Sequence, residues 1–205
     1  METRDKNGLT EREFLASYRQ KDYPRPSVTV DIAVFQRGQG GLRALLIRRG
    51  GHPYLGCWAL PGGFGNPDEE AHAAAARELR EETHLEGLTL FPLGLFSAPG
   101  RDPRAWVMSQ AYAALLPEGA LPPRAGDDAK DARFFDVCFQ LRGTRALLTL
   151  REEGILLRAE AEVKARSTPF GLARTCTVVS QEGFAFDHAS ILISALARLD
   201  KASAQ

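Results

Sequence analysis

Three glutamates, Glu78, Glu81 and Glu82, stand at i, i+3 and i+4. In a helix turning about 100° per residue they share one stripe of the surface. Arg77 and Arg80 flank that stripe, while Ala76, Leu79 and Thr83 fall on the opposite side and can face a core. Three anions in a row repel, each like-charge pair costing roughly 0.2–0.5 kcal/mol even in solvent. A hard divalent cation reverses the sign. Mg²⁺ takes carboxylate oxygens, keeps several waters and is shared with substrate phosphates. Just upstream lies Leu60-Pro61-Gly62-Gly63-Phe64-Gly65. Glycines there let the backbone approach a ligand and leave carbonyls for a cation. A helix start that cradles phosphate directly needs bare amides; here phosphate has to enter through metal. The plain alternative is a solvated helix face neutralised by Arg77 and Arg80.

The elements around this stripe follow from local patterning. Asn66 can cap the helix, Pro67 suits its first position, Glu69 follows three past the cap, and the alanines of 71–76 carry it to about His84. His72 falls on the Leu79 side and reads as a packed histidine. Upstream, Thr10 and Glu13 form a capping box for a short helix bearing Phe14, Leu15 and Tyr18, so residues 1–24 read as an N-terminal helical arm. Val28 to Phe35 alternates: Val28, Val30, Ile32 and Val34 on one face, Thr29, Asp31, Ala33 and Phe35 on the other. A turn at 39–41 and a strand at 43–48 follow, then a loop from Gly50 to Gly65 carrying Tyr54 and Trp58. Strands are expected near 88–96, 106–114 and 132–135, with an Ala98–Arg104 loop and a proline-rich turn at 117–123 between them. Residues 143–180 read as an accessory antiparallel β meander whose apolar row is Ile155, Leu157, Ala159, Ala161 and Val163. Asp187 can cap a last helix with Ile191, Leu192, Ala195, Leu196 and Leu199 on its core face.

The spacing Gly63, five residues, Glu69, seven residues, Arg77-Glu78-Leu79-Arg80-Glu81-Glu82-Thr83-His84-Leu85 resembles the Nudix box, G-x5-E-x7-R-E-U-x-E-E-x-G-U with U aliphatic. Chance agreement is on the order of 10⁻⁸ per starting position at average residue usage. The box's last glycine is His84 here, which touches the left-handed cap of the helix rather than the metal chemistry. The segments 26–31, 58–64, 99–104, 126–129 and 186–189 look like the ADP-ribose pyrophosphatase-like branch. Pro99, about fifteen residues past the box, stands where that branch carries a proline associated with ADP-ribose hydrolysis. The resemblance covers about 25–140 and 184–200.

The resemblance implies an α/β fold: an α/β/α sandwich with a mixed sheet, one domain over 1–205, interrupted by the accessory insertion at 143–180. It implies a hydrolase that cleaves a nucleoside diphosphate linked to another moiety, with ADP-ribose first and AMP and ribose 5-phosphate as products, using Mg²⁺ or Mn²⁺. Carried over by position, Glu78 and Glu82 are the principal metal ligands and Glu81 an additional one, joined by a carbonyl of Gly62 or Gly63. Arg77 orients Glu78, and Glu69 steadies the loop. Asp127 and Asp128 are candidates for the general base. Arg101 and Arg104 read equally as a surface turn or as guanidiniums gripping phosphate or ribose. Trp58 and Tyr54 are candidate substrate rings, with a packed ring the commoner fate of Trp58. His188 and His52 carry no clear site role.

Composition bounds the alternatives. The chain has 205 residues with 26 basic and 26 acidic side chains, so no net basic surplus recommends a nucleic-acid or membrane-surface partner. No apolar run is long enough to span a bilayer and no signal-peptide order opens the chain. Three scattered cysteines suit a reducing cytoplasm and show no zinc spacing. A homodimer is expected, since an added sheet edge invites pairing. Two rivals share the metal site. One is a nucleotide-sensing regulator with a winged-helix module, disfavoured by the short stretch after the last helix. The other is a housecleaning triphosphate pyrophosphatase; NADH and nucleotide sugars are further substrates of the same class.

Overall fold

A computed structural model of the chain describes residues 2–18, 23–38, 40–117, 123–124, 129–169 and 171–202. In chain order the elements are α1 (Glu11–Ser17), β1 (Ser27–Gly38), β2 (Gly41–Arg49), β3 (Trp58–Ala59), β4 (Gly62–Phe64), α2 (Ala71–Thr83), β5 (Phe91–Phe96), β6 (Val107–Leu116), β7 (Ala129–Arg142), β8 (Arg145–Glu152), β9 (Ile155–Thr168), β10 (Gly171–Glu182) and α3 (His188–Ala202). The sheet runs β10-β9-β8-β7-β2-β1-β6-β5, with β3 added to β2 and β4 to β1. It is mixed: β1 and β6 are parallel, with Ser27 opposite Val107, and the other pairs are antiparallel.

The alternation that identifies β1 describes two buried faces, not one dry and one wet. Val30, Ile32 and Val34 join Ala74, Ala75 and Leu79 of α2 in one cluster. Ala33 and Phe35 join α3 in another. A strand covered by helices on both sides carries apolar residues at successive positions. Val28, grouped with the first set by alternation, is exposed at the strand's entrance. The helices thus lie on opposite faces of the sheet, the expected sandwich.

The region expected as an accessory meander continues the same sheet. β7 pairs with β2 through Ala129–Asp136 and goes on to pair with β8 through Asp136–Arg142. Ala146, Leu148, Leu150, Leu157, Ala159, Ala161 and Val163 all enter the cluster that holds α3. Its apolar row therefore wraps the chain's own last helix. That wrapping explains why Ile193 and Ala197 are buried alongside Ile191, Leu192, Ala195 and Leu196, while Leu199, near the helix end, is exposed. Burying each such Leu or Ile is worth about 1.5–3 kcal/mol.

Three local expectations change. The Thr10–Glu13 capping box forms, but α1 buries none of its residues, and Phe14, Leu15 and Tyr18 are exposed. α2 begins at Ala71 with Glu70 at its cap, not at Asn66. Asn66 and Glu69 instead close a turn of their own, in which the Asn66 N–H donates to Glu69 Oε1 at 2.8 Å. The same Glu69 carboxylate also pairs with Arg77 of α2, at 2.7 Å. His72 and Ala76 are exposed rather than core-facing, whereas Leu79 and Thr83 are buried as expected. His84 ends α2 in the left-handed conformation (φ 58°, ψ 20°), its N–H donating to the Arg80 carbonyl, so it does the work of the absent glycine. No helix among the described residues is long and apolar enough to cross a membrane.

Candidate active site

A cavity of about 920 Å³ opens where β1, β2, β4, α2, the 98–104 loop and the start of α3 meet. One lip is α2 and the glycine loop. Arg77 organises it: Nε and Nη2 donate to the two oxygens of Glu69 (3.1 and 2.7 Å), Nη1 donates to Glu78 (2.7 Å) and Glu81 (3.1 Å), and Nη2 also reaches the Phe64 carbonyl (3.0 Å). A planar fork can hold several acceptors in fixed directions, which an ammonium cannot. The Arg77 guanidinium keeps Glu69 at a pKa of about 2, well below the usual carboxylate range. Glu78 moves the other way: burial pushes its carboxyl up, and nearby Glu81 and Glu69 add to this against the pull of Arg77. Glu82 Oε2 accepts from the Gly62 N–H at 2.8 Å, tying loop to helix.

The two glycines are needed for this close approach. A Cβ on Gly63 would fall 2.5 Å from the Glu78 carboxylate, and one on Gly62, whose φ is +155°, would collide with the Val30 carbonyl. Among the described residues no three acidic, histidine or thiol groups already converge as a cation cage. Glu81 explains this. Its side chain is 51% exposed and held between Arg77 and Arg80, outside the cavity wall. What remains at the wall is Glu78, Glu82, Gly62 and Gly63. That set suits a hard cation completed by waters and substrate phosphate rather than by protein alone.

The opposite wall holds a second charged cluster, and it is buried. The Arg101 side chain is 4% exposed and donates to both oxygens of Asp187 (2.9 and 2.6 Å) and to Asp31 Oδ2 (3.2 Å). Ser109 Oγ donates to the same Asp31 oxygen. His188 Nδ1 accepts the Leu60 N–H at 2.8 Å, so the ring proton sits on Nε2, 3.4 Å from Asp31 Oδ1. Burial pushes the His188 pKa down. The segment before α3 reaches this place by pairing with β3: Trp58 N–H donates to the Gly183 carbonyl and Ala185 N–H to the Trp58 carbonyl.

The NUDIX domain, as a family, matches residues 25–138, more than half of the chain. The chain belongs to the Nudix family. It is 42% identical over 115 residues to an ADP-ribose pyrophosphatase of Methanocaldococcus jannaschii, covering 56% of this chain and 64% of that protein. It is 41% identical over 112 residues to the ADPR responsive transcriptional repressor NtrR of Acinetobacter baylyi, covering 54% of this chain and 45% of the repressor. The matches thus span less than two thirds of both relatives. Among solved structures, a MutT/nudix family protein from Enterococcus faecalis is 32% identical with a TM-score of 0.74, over 94% of this chain and 70% of that one.

Within the Nudix fold, Glu78, Glu82, Gly62, Gly63 and Arg77 line the cavity together, and Glu69 stands behind Arg77. Arg101 and Arg104 line it too, but neither is a bare cation. Arg101 is paired with Asp31 and Asp187 as described, and Arg104 is paired with both oxygens of Asp102 and lies 5.3 Å from the Phe64 ring centroid and 5.4 Å from that of Phe186. Trp58 is a correction: it is 5% exposed, packs edge-on against Phe135, and is absent from the cavity wall. Its ring is drawn into the core because β3 is sandwiched between β2 and the Phe184 segment. Tyr54 reaches the site through its edge contact with Phe186 (4.8 Å), which does line it. Asp187, expected to cap α3, gives both carboxylate oxygens to Arg101 instead. Asp127 and Asp128 lie outside the described residues. Sequence reasoning missed Asp31, Arg49, Asp102, Phe186 and the wall position of His188. One signal was present: Asp31 is a lone carboxylate inside an apolar strand, and buried charges are almost always paired.

Proposed function

We propose that this Nudix chain hydrolyses the diphosphate linkage of ADP-ribose in the presence of Mg²⁺ or Mn²⁺, releasing AMP and ribose 5-phosphate. One observation carries the reading: a single guanidinium, Arg77, holds Glu69, Glu78 and the Phe64 carbonyl together at the lip of a cavity of nucleotide size. The similarity to an ADP-ribose pyrophosphatase supports the same substrate. A bound divalent cation supplies Lewis-acid polarisation of a phosphoryl oxygen and a more acidic water. The chain's own part is to present Glu78 and Glu82 with the Gly62 and Gly63 backbone and to fix Glu78 through Arg77.

The test is incubation with ADP-ribose and each cation, with AMP as the readout. Glu82→Gln should lower turnover on the order of 10²–10³-fold, several kcal/mol of barrier, with the thermal midpoint close to wild type. An unchanged rate would remove Glu82 from the metal site. The repressor relative favours a second reading, an ADP-ribose sensor without catalysis. A mobility shift with duplex DNA, sensitive to ADP-ribose and unaccompanied by AMP release, would replace the hydrolase with that sensor.

A further inference from the structure

Among the described residues four arginines line the cavity: Arg49, Arg77, Arg101 and Arg104. Three are matched. Arg77 holds Glu69, Glu78 and Glu81; Arg101 holds Asp31 and Asp187; Arg104 holds Asp102. Arg49 has no carboxylate within ion-pair distance among the described residues. Its Nε donates to the Pro53 carbonyl (2.8 Å), and its guanidinium carbon lies 4.9 Å from the Phe186 ring centroid. Its two Nη groups make no hydrogen bond to the described residues. The head is therefore aimed by one hydrogen bond and one ring face, with most of its donors unused.

The surroundings say what those donors are for. Burial and the Arg104 charge both work against the Arg49 cation, while Glu82 and Asp102 lie close enough to favour it. A guanidinium held in a cavity wall against desolvation and a like charge is completed by an anion from outside. Arg49 stands within electrostatic range of Glu82, so that anion lies near whatever the Glu78–Glu82 lip holds. The support beneath Arg49 is also built under strain. Phe186 (φ 51°) and Tyr54 (φ 62°), in edge contact with each other, both adopt the left-handed conformation. Non-glycine residues keep that conformation only where their surroundings enforce it, and such positions gather at ligand sites.

We propose that Arg49 is the guanidinium that closes on the ligand's diphosphate near Glu82, the part that one reading of the sequence gave to Arg101 and Arg104. The proposal rests on the reading of this cavity as a site for a phosphate-bearing ligand. Lys130 at the rim is also without a carboxylate among the described residues, but it is exposed, and a flexible ammonium fixes a diphosphate less directionally than a guanidinium fork.

The experiment is calorimetric binding in EDTA, using wild type, Arg49→Gln and Arg49→Lys with three probes: ADP-ribose, adenosine and inorganic pyrophosphate. Arg49→Gln should weaken ADP-ribose and pyrophosphate about ten- to hundredfold, the loss of charge-assisted hydrogen bonds, and leave adenosine unchanged. Arg49→Lys should recover part of the loss, which shows that charge and not loop shape is being read. Equal affinity of wild type and Arg49→Gln for both phosphate probes overturns the proposal. So does an equal loss for adenosine, or a loss that Arg49→Lys does not relieve at all. If wild type binds pyrophosphate through Arg49 but neither binds nor cleaves ADP-ribose, Arg49 stands and the proposed substrate falls.

Discussion

Arg77 and Arg101 each gather carboxylates at the wall of one cavity, yet by opposite routes. Arg77 draws on Glu69, Glu78 and Glu81, all within eight residues of it, and its network is partly buried, with Glu81 reaching out to solvent. Arg101 joins Asp31, 70 residues away, to Asp187, 86 residues away, with its side chain 4% exposed. The first cluster holds the carboxylates proposed for the cation; the second fastens β1, the 98–104 loop and the start of α3 to one another. A charge pair weakens as solvent reaches it, whereas a charge left alone where Asp31 and Arg101 lie, at 7% and 4% exposure, costs much. The same residue type thus does chemistry's positioning on one side and architecture on the other.

That contrast can be broken experimentally. Arg101→Gln should have the largest effect, destabilising the fold by about 3–5 kcal/mol in denaturant titration, because Asp31 and Asp187 lose their buried counter-charge. A loss under 1 kcal/mol would mean that Arg101 is not structural. Arg77→Lys should leave the denaturation midpoint far nearer to wild type and lower kcat about 10–100-fold, the usual cost of losing a group that orients ligands to a metal. A stability loss as large as that of Arg101→Gln, with kcat preserved, would erase the distinction between the clusters.

The smallest effect is a pH slope. Burial holds the folded His188 pKa below the ordinary value of 6.5, against Asp31 and Asp187 and with Arg101 and Arg49 acting the same way as burial. The unfolded chain therefore binds the proton first as pH falls. Stability should drop by up to about 1.4 kcal/mol per pH unit below 6.5, and be fully present above it. His188→Asn, which can still accept from Leu60 and donate to Asp31, should flatten the slope between pH 6.5 and 5.5. An identical slope in the variant would place the titrating group elsewhere.

Much of the first cluster was legible in the residues. The i, i+3, i+4 acidic spacing, the glycines at 62 and 63, Arg77 and the turn at His84 are short-range features, fixed within a few turns of one helix. The strands of 145–182 were legible for the same reason, since alternation is a local signal. The start of α2 was misread because Asn66, Pro67 and Glu69 satisfy the local rules for a cap; the Asn66 N–H does reach Glu69, but that carboxylate is shared with Arg77, eight residues on, and the helix begins only at Ala71. For Trp58 the packed ring, the commoner of its two readings, is the one found, but a large ring in a glycine-rich loop gives no hint that Phe184 will be laid beside it.

The sequence by itself determined which side chains could meet a cation and on which face of α2 they would lie, because helix geometry converts spacing into direction without help from the rest of the chain. Only the tertiary structure decided which arginine was left for a ligand. Asp31, Arg101 and the Asp187–His188 pair come from three separate stretches, and whether a guanidinium is matched or bare depends on which of those stretches the sheet brings together. Electrostatic pairing acts over a few ångströms in space, and chain distance carries no record of it.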